Sequence, residues 1–183
     1  MMTMCYSDCD FGMTLRALRE AGKRVKLLCP ETRPYLQGAR LTASVAYDMG
    51  FDVTVITDNM PAWAMHELSV DVFTTAADVI CVDGHIVNKV GTLQVALAAR
   101  QFGVPYYCTG NPNAVHPTAD GIRIEQRDPQ EVLHAMGVRT AKQGVKGWYP
   151  AFDITPPTLV TGVVTDKGIF APERLAEYFQ AAL

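Results

Sequence analysis

Cationic and amide side chains cluster beside the start of a predicted helix, in the stretch ETRPYLQGAR at residues 31–40. Backbone N–H groups at a helix N-terminus attract an anion, and a glycine such as Gly38 lets a ligand approach the backbone. Arg33 or Arg40 can add a charge-assisted hydrogen bond. This pattern predicts a small anionic ligand. The alternative is that Thr32 caps the helix and both arginines are solvated on its surface.

A second polar group, DGHIVNK at residues 83–89, follows an apolar run that predicts a strand. Asp83 comes directly after this strand, where burial can raise the pKa of a carboxyl toward the range useful for acid–base catalysis. Lys89 stands at the start of a predicted helix, which is unfavourable for a cation unless it meets an anion. His85 can serve as acid, base or metal ligand. The alternative is an Asp-Gly turn followed by a solvated lysine.

The five cysteines fall into two groups. Three end apolar strand-like runs and are expected to be buried as small hydrophobic residues: Cys29, Cys81 and Cys108. Cys5 and Cys9 lie in a polar N-terminal segment, where packing does not account for them. Their C-x-x-x-C spacing and the scattered histidines match no metal-site pattern, and no glycine-rich nucleotide-binding motif follows a strand. The sequence therefore predicts neither a metal nor a cofactor.

Composition and charge argue against several classes of protein. The 183 residues carry a net charge of −3 and no basic stripe, which disfavours a nucleic-acid partner. No apolar run approaches the ~18 residues of a membrane span, and the N-terminus lacks the pattern of a signal peptide. An odd number of cysteines without a secretion signal favours reduced thiols and a cytoplasmic location.

Apolar runs alternate with helical periodicity along the chain, which predicts an α/β fold with a mostly parallel sheet. The runs are continuously apolar, as expected of strands covered on both faces. Residues 1–183 are expected to form one domain, with strands at 25–29, 52–56, 78–82 and 104–109 and helices at 36–49, 61–68, 89–102 and Glu173 to Ala182. Such sheets bind ligands at the carboxyl ends of their strands, where the polar groups converge.

Five long segments, in this order, closely resemble one family: ETRPYLQGARLTA, DVTVITDNM, VNKVGTLQVALAA, GIRIEQRDPQEV and PAFDITPPTLVTGVVTDKGIFAP. The family contains methylthioribose-1-phosphate isomerase, ribose-1,5-bisphosphate isomerase and the regulatory subunits of eukaryotic translation initiation factor 2B. The resemblance implies a Rossmann-like three-layer sandwich, equivalent to the family's C-terminal domain without its helical N-terminal domain. It also implies conversion of an aldose 1-phosphate to a ketose phosphate without a metal or nucleotide.

The resemblance assigns roles to individual residues. The string TMCY places Cys5 on the family's catalytic cysteine, although a shorter spacing to the following DFG leaves Cys9 open. The family's substrate contacts fall on Gln37, Asn88 and Lys89. These residues are expected to orient the hydroxyls and the phosphate of a sugar phosphate.

The family's catalytic aspartate lies in the pattern G-A-D-R-I-A-A-N-G-D-x-A-N-K, which we interpret as shortened here to CVDGHIVNK, residues 81–89. In that alignment Asp83 is the carboxyl nearest the required strand end. Cys5 and Asp83 are therefore the predicted catalytic pair. Arg33 and Gly38 complete the predicted substrate-binding set.

Two functions fit the resemblance. The first is aldose–ketose isomerisation of a pentose 1-phosphate, the chemistry of methionine salvage. The second is a catalytically inactive module for sugar-phosphate binding or assembly, like the initiation-factor subunits. A different sugar-phosphate reaction that uses Asp83 and His85 is a third alternative. The family also implies a homodimer, and a separate polypeptide is a possible source of the helical domain.

Overall fold

The computed structural model describes residues 1–181, apart from the side chain of Asp8. The strands are β1 (Met2–Thr3), β2 (Lys26–Pro30), β3 (Asp52–Ile56), β4 (Phe73–Ala76), β5 (Val79–Ile80), β6 (Ile86–Lys89), β7 (Tyr106–Thr109), β8 (His134–Ala135), β9 (Val138–Arg139), β10 (Phe152–Thr155), β11 (Gly162–Thr165) and β12 (Gly168–Phe170). The α-helices are α1 (Asp8–Glu20), α2 (Ser44–Asp48), α3 (Pro61–Glu67), α4 (Thr92–Gln101) and α5 (Gln130–Leu133). A π-helix spans Gly38–Ala43, and 3₁₀ helices span Pro157–Leu159 and Pro172–Phe179.

Seven strands form the central sheet in the order β12-β11-β7-β4-β1-β2-β3. All neighbouring pairs in it are parallel except β11 with β12. The two-residue β1 lies in the middle, with Met2 opposite Leu28 of β2 and Phe73 of β4. The predicted α/β class with a mostly parallel sheet is confirmed. The sequence pattern misses β1 and β4 because both are too short, and too poor in large apolar residues, to stand out.

Helices cover both faces of the central sheet. On one face, Val95 of α4 belongs to a buried cluster with Phe73 and Tyr106, whose rings stack 4.5 Å apart. On the other face, Phe11 and Leu15 of α1 pack with strand β2 and with α2. The result is the helix–sheet–helix layering that the sequence predicts.

A second, antiparallel sheet corrects the prediction for residues 78–82. Only Val79–Ile80 is a strand there, and the sheet order is β10-β6-β5. Strands β5 and β6 form a hairpin in which the Cys81 amide donates to the His85 carbonyl at 2.9 Å, and Gly84 takes a positive φ of 88° at the turn. A short apolar run does not reveal which sheet it joins, which is why the pattern places this strand in the parallel sheet.

The predicted helix at 36–49 is present but begins irregularly. The π-helix Gly38–Ala43 precedes α2, and Leu36 just before it has a positive φ of 62°. Gly38 lies against strand β2, where an added Cβ would stand 1.9 Å from the Pro30 carbonyl oxygen. This close approach accounts for the glycine.

Cys29, Cys81 and Cys108 are fully buried, as predicted. The expected helix from Glu173 to Ala182 is a 3₁₀ helix over Pro172–Phe179, and Ala182 lies outside the described residues. Within residues 1–181, no helix is long and apolar enough to cross a bilayer.

Candidate functional site

A cavity of about 470 Å³ opens at the carboxyl edge of the central sheet. Cys5 follows β1, and Asp78 follows β4. Gln37 comes from the loop after β2, while Asn88 and Lys89 end strand β6 of the second sheet. The structure therefore brings four predicted site residues, Cys5, Gln37, Asn88 and Lys89, into one pocket.

Cys5 is held at the pocket in an uncommon backbone conformation. Its φ is 63°, in the left-handed region. Its amide donates to Thr32 Oγ1 at 3.3 Å, and its carbonyl accepts from Thr42 Oγ1. Burial is the main cause that raises the pKa of the Cys5 thiol, while the hydrogen bond from the Gln37 side chain lowers it. The net rise keeps the thiol protonated near neutral pH.

Gln37 is buried, and only the nitrogen of its side-chain amide has a hydrogen-bond partner among the described residues. Its Nε2 donates to Cys5 Sγ at 3.3 Å. Its Oε1 is buried and has no hydrogen-bond partner among the described residues. A buried acceptor without a donor costs free energy, so this oxygen is a ready contact for a ligand hydroxyl in the pocket.

Lys89 is a buried cation without a direct ion pair, although the charges of Asp78 and Glu125 act on it. Lys89 is 5% exposed, and its Nζ lies 4.7 Å from the centre of the Phe152 ring. Its ammonium has no hydrogen bond or ion pair with any residue that the structure describes. Burial first, and then repulsion from Arg127, lower the pKa of Lys89. An anionic group of a ligand would relieve both penalties.

Asn88 is locked into the turn that leads from β6 to α4. Its Nδ2 donates to Thr92 Oγ1 at 3.1 Å, and the Thr92 hydroxyl donates to the Lys89 carbonyl at 2.8 Å. Asp153 of β10 accepts from the Gly91 amide at 2.6 Å and from the Leu93 amide. Burial raises the pKa of Asp153 to about 6, despite these two bonds. The turn that carries Asn88 and Lys89 is therefore anchored by buried side chains.

Asp78 is the carboxyl that the sequence interpretation misses. It lines the pocket, and burial is the main cause that raises its pKa, while Lys89 and then Arg127 lower it. The signal was available: AADVICVDGHIVNK, residues 76–89, has the same fourteen-residue length as the family pattern G-A-D-R-I-A-A-N-G-D-x-A-N-K. The expected shortening is therefore incorrect, and Asp78 takes the place of the family aspartate.

Asp83 lies outside this pocket. It sits in the β5–β6 hairpin turn, at the opposite end of β6 from Lys89. Its carboxylate accepts from the His85 amide at 3.2 Å and lies 3.0 Å from His85 Nδ1, and its own amide donates to the Pro117 carbonyl. The structure therefore contains the Asp-Gly turn that is the alternative interpretation of this segment.

Arg33 and Gly38 also have structural contacts of their own. The Arg33 guanidinium donates to the carbonyls of Glu131, Val132 and His134, at 2.8 Å for the last. It therefore ties its loop to helix α5 and strand β8, and it is not among the residues that line the pocket. Gly38 makes room for the Pro30 carbonyl. Cys9 is exposed on α1 and away from the pocket lining.

Arg127 and Phe152 line the pocket without having been predicted. The Phe152 ring contacts two cations, since Arg127 Cζ lies 5.6 Å from the centre of the ring that Lys89 also contacts. Arg127 also pairs with Glu125, at 3.1 Å from Nε to Oε1. The cavity thus has a cationic side, Lys89 and Arg127, and two acidic members, Asp10 and Asp78. In the part of the chain that is described, no three His, Cys, Asp or Glu side chains are grouped as for a metal ion.

Comparison with known proteins places the chain in a family. Residues 1–172 match the initiation factor 2 subunit family, and the chain belongs to it. It is 43% identical over 169 residues to methylthioribose-1-phosphate isomerase of Thermotoga petrophila, covering 89% of this chain and 49% of that protein. The enzyme of the same name from Desulforudis audaxviator is 45% identical over 161 residues, which are 86% of this chain and 46% of the relative. The chain spans about half the length of the curated relatives it matches.

Solved structures show the same fold. The 5-methylthioribose 1-phosphate isomerase of Pyrococcus horikoshii OT3 superposes with a TM-score of 0.91 at 33% identity, over 98% of this chain and 53% of that one. The delta subunit of translation initiation factor eIF-2B from A. fulgidus gives 0.86 at 32% identity, over 93% and 53%. The Rossmann-like expectation is thereby confirmed.

Proposed function

We propose that the protein takes part in aldose–ketose isomerisation of a pentose 1-phosphate, as a methylthioribose-1-phosphate isomerase-like enzyme of methionine salvage. The names of the curated relatives support the reaction class. The observation that carries the proposal is the composition of one pocket: a carboxyl with a raised pKa, a buried thiol and a buried ammonium that makes no direct ion pair. A pocket that binds an anion without catalysing a reaction would need only the ammonium.

Asp78 is the proposed acid and base. As the ring bond between C1 and oxygen breaks, protonated Asp78 donates its proton to the ring oxygen. A hydride then moves from C2 to C1, and the C2 hydroxyl returns a proton to the Asp78 carboxylate, which leaves a ketone at C2. Atoms and charge balance, and the enzyme returns to its starting state. A raised carboxyl pKa suits this double role.

The remaining pocket residues bind and orient. Cys5, kept neutral by burial, presents a polarisable sulfur to the reacting carbons, where positive charge develops during the hydride shift. Lys89 pairs with the phosphate. Gln37 Oε1 accepts a hydrogen bond from one sugar hydroxyl, and the Asn88 side-chain amide bonds to another, which fixes the sugar relative to Asp78.

The test is an isomerase assay on methylthioribose 1-phosphate and ribose 1,5-bisphosphate with two pairs of matched variants. Cys5→Ser and Asp78→Asn change the proposed reacting groups. Cys9→Ser and Asp83→Asn make the same chemical changes outside the pocket. We expect Asp78→Asn to lower kcat by about 10²–10⁴-fold, and both control variants to remain near wild type.

Loss of turnover in Asp83→Asn but not in Asp78→Asn would contradict the assignment of the carboxyl. Absence of turnover in the wild type, together with thermal stabilisation by the same sugar phosphates, would favour the alternative of an inactive binding or assembly module. In that case, the half of a relative that this chain does not match can be added as a separate polypeptide. Turnover restored by this addition would support a partner that completes the site.

The proposal includes a cytoplasmic homodimer. Its structural support is an exposed apolar surface on α3 and α4, where Trp63, Leu97 and Phe102 are 66%, 54% and 38% exposed. This surface borders a cavity of about 590 Å³ that is separate from the pocket described above. Light scattering coupled to gel filtration gives the mass, and Leu97→Lys is expected to shift a dimer toward monomer.

A further inference from the structure

Non-glycine residues with positive φ are concentrated around Cys5. Cys5, Thr32 and Leu36 have φ values of 63°, 63° and 62°. This conformation is costly for residues with a Cβ, and for β-branched threonine it is a genuine outlier. Such strain persists only where surrounding groups impose it, and it is concentrated at functional sites. The contacts of Thr32 and Cys5 identify the groups that impose it here.

Asp58 holds Thr32. It follows strand β3, and its two carboxylate oxygens accept from adjacent amides: Thr32 N at 2.8 Å and Arg33 N at 2.6 Å. Two successive N–H groups turned toward one carboxylate define the backbone of this loop. An uncharged amide side chain at position 58 has only one acceptor oxygen and cannot reproduce both bonds.

Thr32 in turn holds Cys5. Thr32 is fully buried, and its hydroxyl donates to the Pro30 carbonyl at 3.2 Å while accepting from the Cys5 amide at 3.3 Å. On the other side, the Thr42 hydroxyl donates to the Cys5 carbonyl. Both backbone polar groups of Cys5 are therefore satisfied by threonine hydroxyls. This arrangement leaves Cys5 Sγ 3.3 Å from Gln37 Nε2 in the pocket.

We propose that Asp58 and Thr32 are positioning residues, which hold the Cys5 backbone in its left-handed conformation so that the thiol meets Gln37 and the substrate. The inference rests on the proposed function in one respect: Cys5 is taken as a group that contacts the reacting carbons. Neither Asp58 nor Thr32 lines the pocket, so both act through Cys5.

The test compares variants that differ by one group. Thr32→Val keeps the β-branched shape and removes the hydroxyl, whereas Thr32→Ser keeps the hydroxyl. Asp58→Asn removes one of the two acceptors. Thr54→Val and Asp52→Asn make the same changes on the exposed positions of strand β3. All variants carry Cys9→Ser, because Cys9 is the other cysteine that is not buried.

Two readouts are measured on each variant. The first is the pH dependence of Cys5 alkylation by iodoacetamide, followed by mass spectrometry, which reports the thiol independently of turnover. The second is kcat and KM in the isomerase assay. If Cys5 relaxes out of the pocket, its thiol loses the burial that is the main cause raising its pKa, together with the smaller opposing effect of the Gln37 hydrogen bond, so the alkylation midpoint moves to lower pH.

We expect Thr32→Val and Asp58→Asn to move the midpoint to lower pH and to lower kcat by about tenfold or more, with a smaller change in KM. Thr32→Ser and the two β3 controls are expected to match the parent. An unchanged midpoint in both Thr32→Val and Asp58→Asn, or equal shifts in the β3 controls, would overturn the proposal. If the parent has no isomerase activity, the proposed reaction fails, while the alkylation midpoints still decide the positioning role.

Discussion

Replacing Gly38 by alanine tests whether the close contact between the π-helix and strand β2 is needed to build the pocket. An added Cβ would lie 1.9 Å from the Pro30 carbonyl oxygen and 2.6 Å from Thr32 Oγ1. The first of these is a backbone atom of the central sheet and cannot rotate away. The helix must therefore move outward by about an ångström, and it carries Gln37 with it.

The expected cost follows from two opposing effects. Overpacking of this kind costs about 1–3 kcal/mol or more, and the large clash puts Gly38→Ala at the upper end. Alanine in a helix regains about 0.5–1 kcal/mol relative to glycine. The net expectation is a loss of about 2 kcal/mol in the free energy of unfolding, measured by urea denaturation.

Gly12 provides the matched control. It lies in helix α1, and nothing stands within 4 Å of the position where its Cβ would be added. Gly12→Ala is expected to raise the free energy of unfolding by about 0.5–1 kcal/mol. If Gly38→Ala proved as stable as Gly12→Ala, the reasoning from the contact with Pro30 would be refuted.

Three further predictions concern the buried groups. Lys89→Met removes a desolvated cation, so it is expected to leave the free energy of unfolding unchanged or higher. The same variant is expected to abolish thermal stabilisation of the protein by a sugar phosphate, and retained stabilisation would contradict this. Folding raises the pKa of Asp153 from 3.8 to about 6, so the carboxylate that forms as the pH rises through that interval destabilises the folded protein. The wild type should therefore lose at most about 3 kcal/mol in the free energy of unfolding relative to Asp153→Asn over that interval. Parallel pH curves of stability for the two proteins would rule this out. Leu15→Ala should cost about 2–5 kcal/mol in urea denaturation, since Leu15 is fully buried, and Met13→Ala, at an exposed position of the same helix, at most about 0.5 kcal/mol.

Local pattern was sufficient for much of the fold. The apolar run at Asp52–Ile56 and the helix that begins with Pro61 were predicted within a residue of their observed ends. Continuously apolar strands that alternate with helices imply covered faces on a parallel sheet. Pattern failed for β1 and β4, because strands of two and four residues carry too little periodicity to detect.

By itself, the sequence determined the layered α/β fold, the family and four pocket residues, Cys5, Gln37, Asn88 and Lys89, because these depend on periodicity and on motifs read along the chain. Only the tertiary structure decided which carboxyl faces the pocket. The pairing of β5 with β6 turns Asp83 away and leaves Asp78 beside Lys89. Only the tertiary structure also shows that the Arg33 guanidinium donates hydrogen bonds to carbonyls about a hundred residues further along the chain. Hydrogen-bond partners so distant in sequence leave no trace in local composition, and they become visible only once the chain is folded.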